Sequence, residues 1–211
     1  MAIKEDILEQ IVEEYLLHNG YFVRRNLKFR PEKEDREFNK NKDSNHSDID
    51  VIGFNPLKEG ADKVWVVSCK SWQEGFNPQK QINAVINGKI LGGREAWKGS
   101  RELWKKKWAD AFIREIISAT GQEKFTYFTA VTKLIGNRDL WEHHVTFSDT
   151  MRGNPIKILE LKEMVLKIEA KLSTTVASTD IGRVLQLFKA AGLVMNGVGK
   201  CKPSLNPSPR G

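Results

Sequence analysis

The chain has 211 residues, with 34 Lys and Arg against 27 Asp and Glu, 4 His, 2 Cys and a formal net charge of +7. With 40% hydrophobic and 29% charged residues it reads as one globular domain with an appendage, which excludes a chain disordered throughout. No stretch approaches the roughly 20 apolar residues of a membrane span. The first residues lack the apolar centre of a signal peptide, and the cysteines are too few for a disulfide framework or a zinc site, so a cytoplasmic location is expected.

Residues 4–18 set Ile7, Leu8, Ile11, Val12, Tyr15 and Leu16 at helical spacing, and Asn19-Gly20 ends that helix. Residues 21–29 predict a strand whose arginines suit a sheet edge. Residues 30–46 are charged and poor in apolar side chains, which predicts a solvated loop. Residues 47–54 (SDIDVIGF) and 63–70 (KVWVVSCK) predict a β-hairpin around the turn-rich stretch from Asn55. A helical region is expected over 78–118, interrupted near Gly88 and Gly92-Gly93. A strand over 125–134 follows, then an irregular stretch 136–154 with a short helix near Leu140, a short strand 156–159 and a helix 161–172. Composition shifts at Ser173, so a domain over 1–172 is expected to precede an extension over 173–211, with one amphipathic helix at 180–193 and a loose basic tail. The order predicts an α/β fold, a mixed β-sheet flanked by helices with an α-β-β-β-α-β core.

The chemistry concentrates in the hairpin. Asp48 and Asp50 interrupt an apolar strand, where an unpaired carboxylate is costly. Ser68 and Lys70 end the facing strand. Side chains alternate along a strand, so a register pairing Asp50 with Ser68 sets all four on one side. Carboxylates and a lysine at one hairpin end suit a divalent metal and a phosphate; the plainer alternative is a salt bridge between Asp50 and Lys70.

The order of these stretches resembles the PD-(D/E)XK phosphodiesterase superfamily, which includes restriction endonucleases, RecB-type nucleases and Holliday-junction resolvases. The resemblance rests on the run from Glu9 to Tyr21, on Ser47-Asp-Ile-Asp-Val-Ile-Gly53, and on Val66-Val-Ser-Cys-Lys70. It implies a restriction-endonuclease-like core and a metal-dependent endonuclease. The helix acid falls on Glu9, with Glu13 the alternative, the metal-binding Asp on Asp50 and the lysine on Lys70. The acid of the (D/E)-x-K motif falls on Ser68, a neutral and weak metal ligand. Asp48 is the nearest substitute on the same face, and Glu74 lies beyond the strand end. Gln79 or Gln81 resembles a glutamine that some of these nucleases carry on the following helix, and Gln81 joins Asp50, Lys70, Glu9 and Ser68 as a catalytic candidate. The implied cofactor is Mg2+ or Mn2+, held by Asp50, Glu9 and the Cys69 backbone carbonyl, with Asp48 as a further ligand.

Residues 94–108 carry six basic residues, two acids and three Trp. Trp97, Arg101, Trp104, Trp108 and Phe112 recur at helical spacing, so the aromatics are expected in the core. Lys98, Arg101 and the corner Lys105-Lys106-Lys107 are then the expected nucleic-acid contacts. His143-His144, His18 and His46 lack partners at ligand spacing and are expected in solvent. Cys69 points away from Lys70 as a small buried hydrophobe. The expected function is metal-dependent cleavage of DNA in restriction, repair, recombination or mobile-element processing. The alternatives are a nuclease-fold module that binds nucleic acid or a partner without cutting, and a nuclease acting on RNA such as tRNA. Nucleic acid is the expected partner, DNA ahead of RNA, with no membrane; the assembly expected is a homodimer or a larger nuclease complex.

Overall fold

The computed structural model describes residues 6–177 and 179–193. Cys201 and the expected basic tail lie outside the described residues. Helix α1 (Ile7–His18) starts at the N-cap Asp6 and ends at Asn19, where the sequence supplies its cap residues. Strand β1 (Phe22–Phe29) leads through a short helix α2 (Lys40–Asp43) to the hairpin β2 (Ser47–Phe54) and β3 (Val64–Lys70). Helix α3 (Pro78–Ile86) then precedes a small ribbon of β4 (Ile90–Leu91) and β5 (Arg94–Glu95). Helices α4 (Arg101–Trp104) and α5 (Lys106–Thr120) lead to β6 (Thr126–Val131). Two short helices, α6 (Asp139–Glu142) and α7 (Val145–Thr150), precede β7 (Ile156–Glu160), α8 (Leu161–Lys171) and α9 (Asp180–Ala190).

The five-stranded sheet has the order β1-β2-β3-β6-β7. Its first three strands are antiparallel and the last two join in parallel, so the sheet is mixed. β1 lies at the edge, where Arg24 is exposed and Arg25 is half-buried. Helices α1 and α8 cover one face through Leu8, Val12, Leu16, Met164 and Ile168, which meet Val51, Val67 and Phe128. The other face carries α5, whose Trp108, Phe112 and Ile116 pack on Phe29, Val66 and Tyr127. Trp108 is fully buried, and its truncation to Ala costs about 3–5 kcal/mol. Among the described residues no helix is long and apolar enough to cross a membrane.

Three expectations change. The interruption expected near Gly92-Gly93 in the helical region 78–118 is present but takes the form of a β4–β5 ribbon, which turns on those two glycines, both at positive φ. The Trp stripe spans several elements because the chain leaves helical geometry at Lys105 (φ −128°, ψ 117°). The segment 30–46 is charged yet anchored, since Asp43 is fully buried and accepts hydrogen bonds from Trp108 Nε1 (3.1 Å) and the Asn39 amide (2.7 Å).

Helix α9 docks on α1 and α8. Its N-cap Thr179 donates to the buried Glu14 of α1, which also meets His18 Nε2 at 3.0 Å. Gly182 allows this approach: a Cβ there would lie 2.5 Å from Glu14 Oε1.

Candidate active site at the end of the hairpin

The start of α1 and the end of β3 are tied together. Asp6 accepts the Leu8 amide at 2.8 Å as the helix cap, and its second oxygen accepts the Ser71 hydroxyl at 2.6 Å. Glu9, in the first turn of that helix, therefore comes close enough to Asp50 to feel its charge. Glu13, one turn on, is engaged elsewhere, in an ion pair with Arg25 at 3.2 Å.

The β2–β3 ladder pairs Val51 with Val67 as its last rung. The expected rung between Asp50 and Ser68 is not formed. Ile49 and Ile52 pack into one cluster while Val51 packs into the other, so the alternation of β2 is broken at Asp50 and does not set Asp48, Asp50, Ser68 and Lys70 on one side. Asp50 Oδ2 accepts the Cys69 amide at 2.6 Å. On the other side the β1–β2 ladder skips Asn26 and Asp50, and Asn26 is in the left-handed region at φ 57°. Asn tolerates that conformation better than most residues.

Lys70 Nζ donates to Ser68 Oγ at 2.9 Å. The buried Tyr127 phenol donates to Glu102 Oε1 at 2.6 Å, and Ser68 lies close enough to it to act against the rise that burial and Glu102 impose on that phenol. Burial and then the charge of Asp50 push the Glu9 carboxyl up to about 7. Burial also raises the Asp50 carboxyl, against Lys70 and the Cys69 amide, which lower it. Burial pushes the Cys69 thiol well up, in keeping with a thiol packed against the core beneath α1.

Among the described residues no three His, Cys, Asp or Glu stand grouped as ligands for one ion. Mg2+ is commonly held by one or two carboxylates, with water and substrate phosphate completing its shell. Glu9 and Asp50 are two hard oxygen donors whose shared desolvation and repulsion a cation relieves. The residues present thus fit Mg2+ or Mn2+ as a two-carboxylate site. Asp48 is exposed, and its charge reaches both Glu9 and Asp50.

A cavity of about 150 Å³ opens beside Lys70, lined among others by Gln81, Arg94, Lys98, Trp72 and Trp141. Gln81 is thus brought to the lysine, while Gln79 turns to Asn83 at 2.9 Å. Lys98 reaches Glu95 at 3.1 Å on the rim of the same cavity. Lys105 is exposed, over the Trp97 ring at 5.6 Å. Lys106 is exposed on α5 and pairs with Asp110 at 2.5 Å.

Two expected contacts hold the fold instead of facing solvent. Lys107 is 13% exposed and pairs with the buried Asp43 at 2.6 Å, so the corner presents Lys105 and Lys106. Arg101 is half-buried, its guanidinium 4.3 Å from the Trp108 ring. His144 is likewise drawn out of solvent, its ring 4.4 Å from that of Phe147, and burial lowers its pKa.

Glu102, Tyr127, Asp6 and Ser71 joined the site without notice from the sequence. Asp6 was legible as a cap before a periodic apolar run. Comparison of the chain with family models, with curated proteins and with solved structures finds no match.

Proposed function

We propose that the chain is a metal-dependent phosphodiesterase acting on DNA, built on a restriction-endonuclease-like core of the PD-(D/E)XK type. One observation carries this reading. Asp50 lies in β2 one residue past the last β2–β3 rung, Lys70 is the last residue of β3, and Glu9 of α1 lies within electrostatic reach of Asp50. Two carboxylates and an ammonium at one sheet end suit a phosphate flanked by a divalent cation.

Asp50, Glu9 and the Cys69 carbonyl, with Asp48 nearby, would hold Mg2+ or Mn2+, which would supply Lewis acidity at the phosphate. Water attacks phosphorus, the new P–O bond forms as the bridging P–O bond breaks, and the proton that the water loses to solvent is balanced by one that the leaving oxygen takes from solvent. Lys70 stabilises the charge that grows on the phosphoryl oxygens. Gln81, Arg94 and Lys98, along the cavity beside Lys70, would supply contacts to the nucleic acid next to the scissile phosphate.

A second reading has one observation of its own: Ser68 leaves the strand without the motif acid. A module that binds nucleic acid without cutting keeps Lys70 and loses turnover. The test is incubation of plasmid, linear duplex and tRNA with wild type, Asp50→Ala and Lys70→Ala in Mg2+, Mn2+ or EDTA. Metal-dependent cleavage of DNA by wild type only is expected. Cleavage of tRNA alone moves the substrate to RNA, and equal behaviour of the three proteins overturns the reading.

A further inference from the structure

The missing acid at position 68 has a counterpart elsewhere in the structure. Glu14, Asp43 and Glu102 are buried acids among the described residues. Glu14 meets Thr179 and His18, and Asp43 meets Lys107 and Trp108. Glu102 instead faces the hairpin end, where its charge reaches Asp50 and it accepts the Tyr127 hydroxyl.

The donors in this chain run one way. An ammonium only donates, so Lys70 gives a hydrogen to Ser68 Oγ. Tyr127 donates its hydroxyl hydrogen to Glu102, which leaves its oxygen able to accept, and nearby Ser68, whose own hydrogen is not used toward Lys70, acts on the phenol in the direction of a donor. The order Lys70, Ser68, Tyr127, Glu102 runs from an ammonium to a carboxylate, with hydrogen bonds at its two ends and Ser68 beside Tyr127 in the middle. Tyr127 is fully buried and Glu102 is 5% exposed, so little water screens it. Serine suits the second position because a hydroxyl both accepts and donates, whereas an ionised carboxylate only accepts. Arg101 lies close enough to feel the charge of Glu102, which keeps that acid from standing unopposed in the interior.

We propose that Glu102 and Tyr127 are positioning residues of the site, supplying through Ser68 the negative partner that Lys70 lacks on its own strand. The proposal rests on the nuclease reading for its catalytic consequence but not for the chain itself. Its function is to hold the Lys70 ammonium in one orientation at the hairpin end. Loss of any link frees the ammonium without removing it.

Two measurements on the full chain test this. The first is acetylation of Lys70 by an amine-directed reagent, followed by peptide mass spectrometry. Labelling is expected to rise about fivefold or more in Tyr127→Phe, Glu102→Gln and Ser68→Ala, as a charged hydrogen bond is lost. The second is metal-dependent DNA cleavage. Each single variant lowers kcat about tenfold with KM unchanged, and Tyr127→Phe with Glu102→Gln falls no further than either alone. Adding Ser68→Asp to Tyr127→Phe restores both kcat and slow labelling, since it sets a carboxylate directly beside Lys70. If Glu102→Gln fails to fold, Tyr127→Phe and Ser68→Ala carry both measurements. Unchanged Lys70 labelling overturns the proposal whatever the activity, as do multiplying losses in kcat. Equal cleavage by wild type and Lys70→Ala overturns the nuclease reading, and the labelling result then decides the chain by itself.

Discussion

Asp50 and Cys69 are joined across the open end of the hairpin, the carboxylate accepting the Cys69 amide at 2.6 Å. The contact stands one step beyond the last ladder rung, so one side chain serves both the strand end and the proposed metal site. Asn keeps an oxygen acceptor and Ala does not. Asp50→Asn is therefore expected to unfold within about 1 kcal/mol of wild type, and Asp50→Ala to lose about 1–3 kcal/mol. Urea denaturation of the two variants measures the difference.

Glu9 gives the site a pH dependence. Its folded-state carboxyl is raised to about 7 by burial and the charge of Asp50, above its ordinary value. The native state therefore binds the proton more tightly than the unfolded chain does. The stability that Glu9 contributes is fully present below the ordinary carboxylate pKa and is lost as pH rises through about 7. Unfolding curves between pH 4.5 and 8 should fall for wild type relative to Glu9→Gln. Mg2+ should restore wild type at pH 8 and leave Glu9→Gln unmoved.

Asp43 anchors the charged segment between β1 and β2. Burial favours its neutral form, but hydrogen bonds from Lys107, Asn39 and Trp108 outweigh that and hold its carboxyl below the ordinary value. Asp43→Ala leaves Lys107 without its anion and the Trp108 Nε1 without its acceptor. A loss of about 3–5 kcal/mol is expected, with faster proteolysis inside residues 30–46. The sign also holds in pH: this contribution is present above the ordinary Asp value and is lost on acidification.

Gly182 lets α9 approach α1. An added Cβ meets Glu14 Oε1 at 2.5 Å, Ala177 Cβ at 2.7 Å and Thr179 Oγ1 at 2.9 Å. Gly182→Ala is expected to lower the melting midpoint, at a cost of about 1–3 kcal/mol, despite alanine's better helix propensity. A midpoint at or above that of wild type contradicts the docking.

The hairpin was legible from its turn-rich loop and the apolar runs on either side, but the irregularity at Asp50, which breaks the alternation expected to align Asp48, Asp50, Ser68 and Lys70, was not. The edge position of β1 followed from its arginines. The β4–β5 ribbon was hidden because each strand is two residues long and lies among good helix formers. Lys107 reads as a solvated residue in a run of three lysines, and only the tertiary fold brings Asp43 beneath it. Glu102 was hidden for the same reason. It looks like one of two acids in a basic segment, and its role depends on β6 carrying Tyr127 alongside β3.

The most direct test of the site is single-turnover cleavage of an end-labelled duplex in Mn2+, with binding of the same duplex measured in parallel. Wild type is expected to cut, while Asp50→Asn and Lys70→Ala bind the duplex within about threefold of wild type and cut at least about 100-fold more slowly. Cleavage by either variant at the wild-type rate contradicts a phosphodiesterase site built on Asp50 and Lys70.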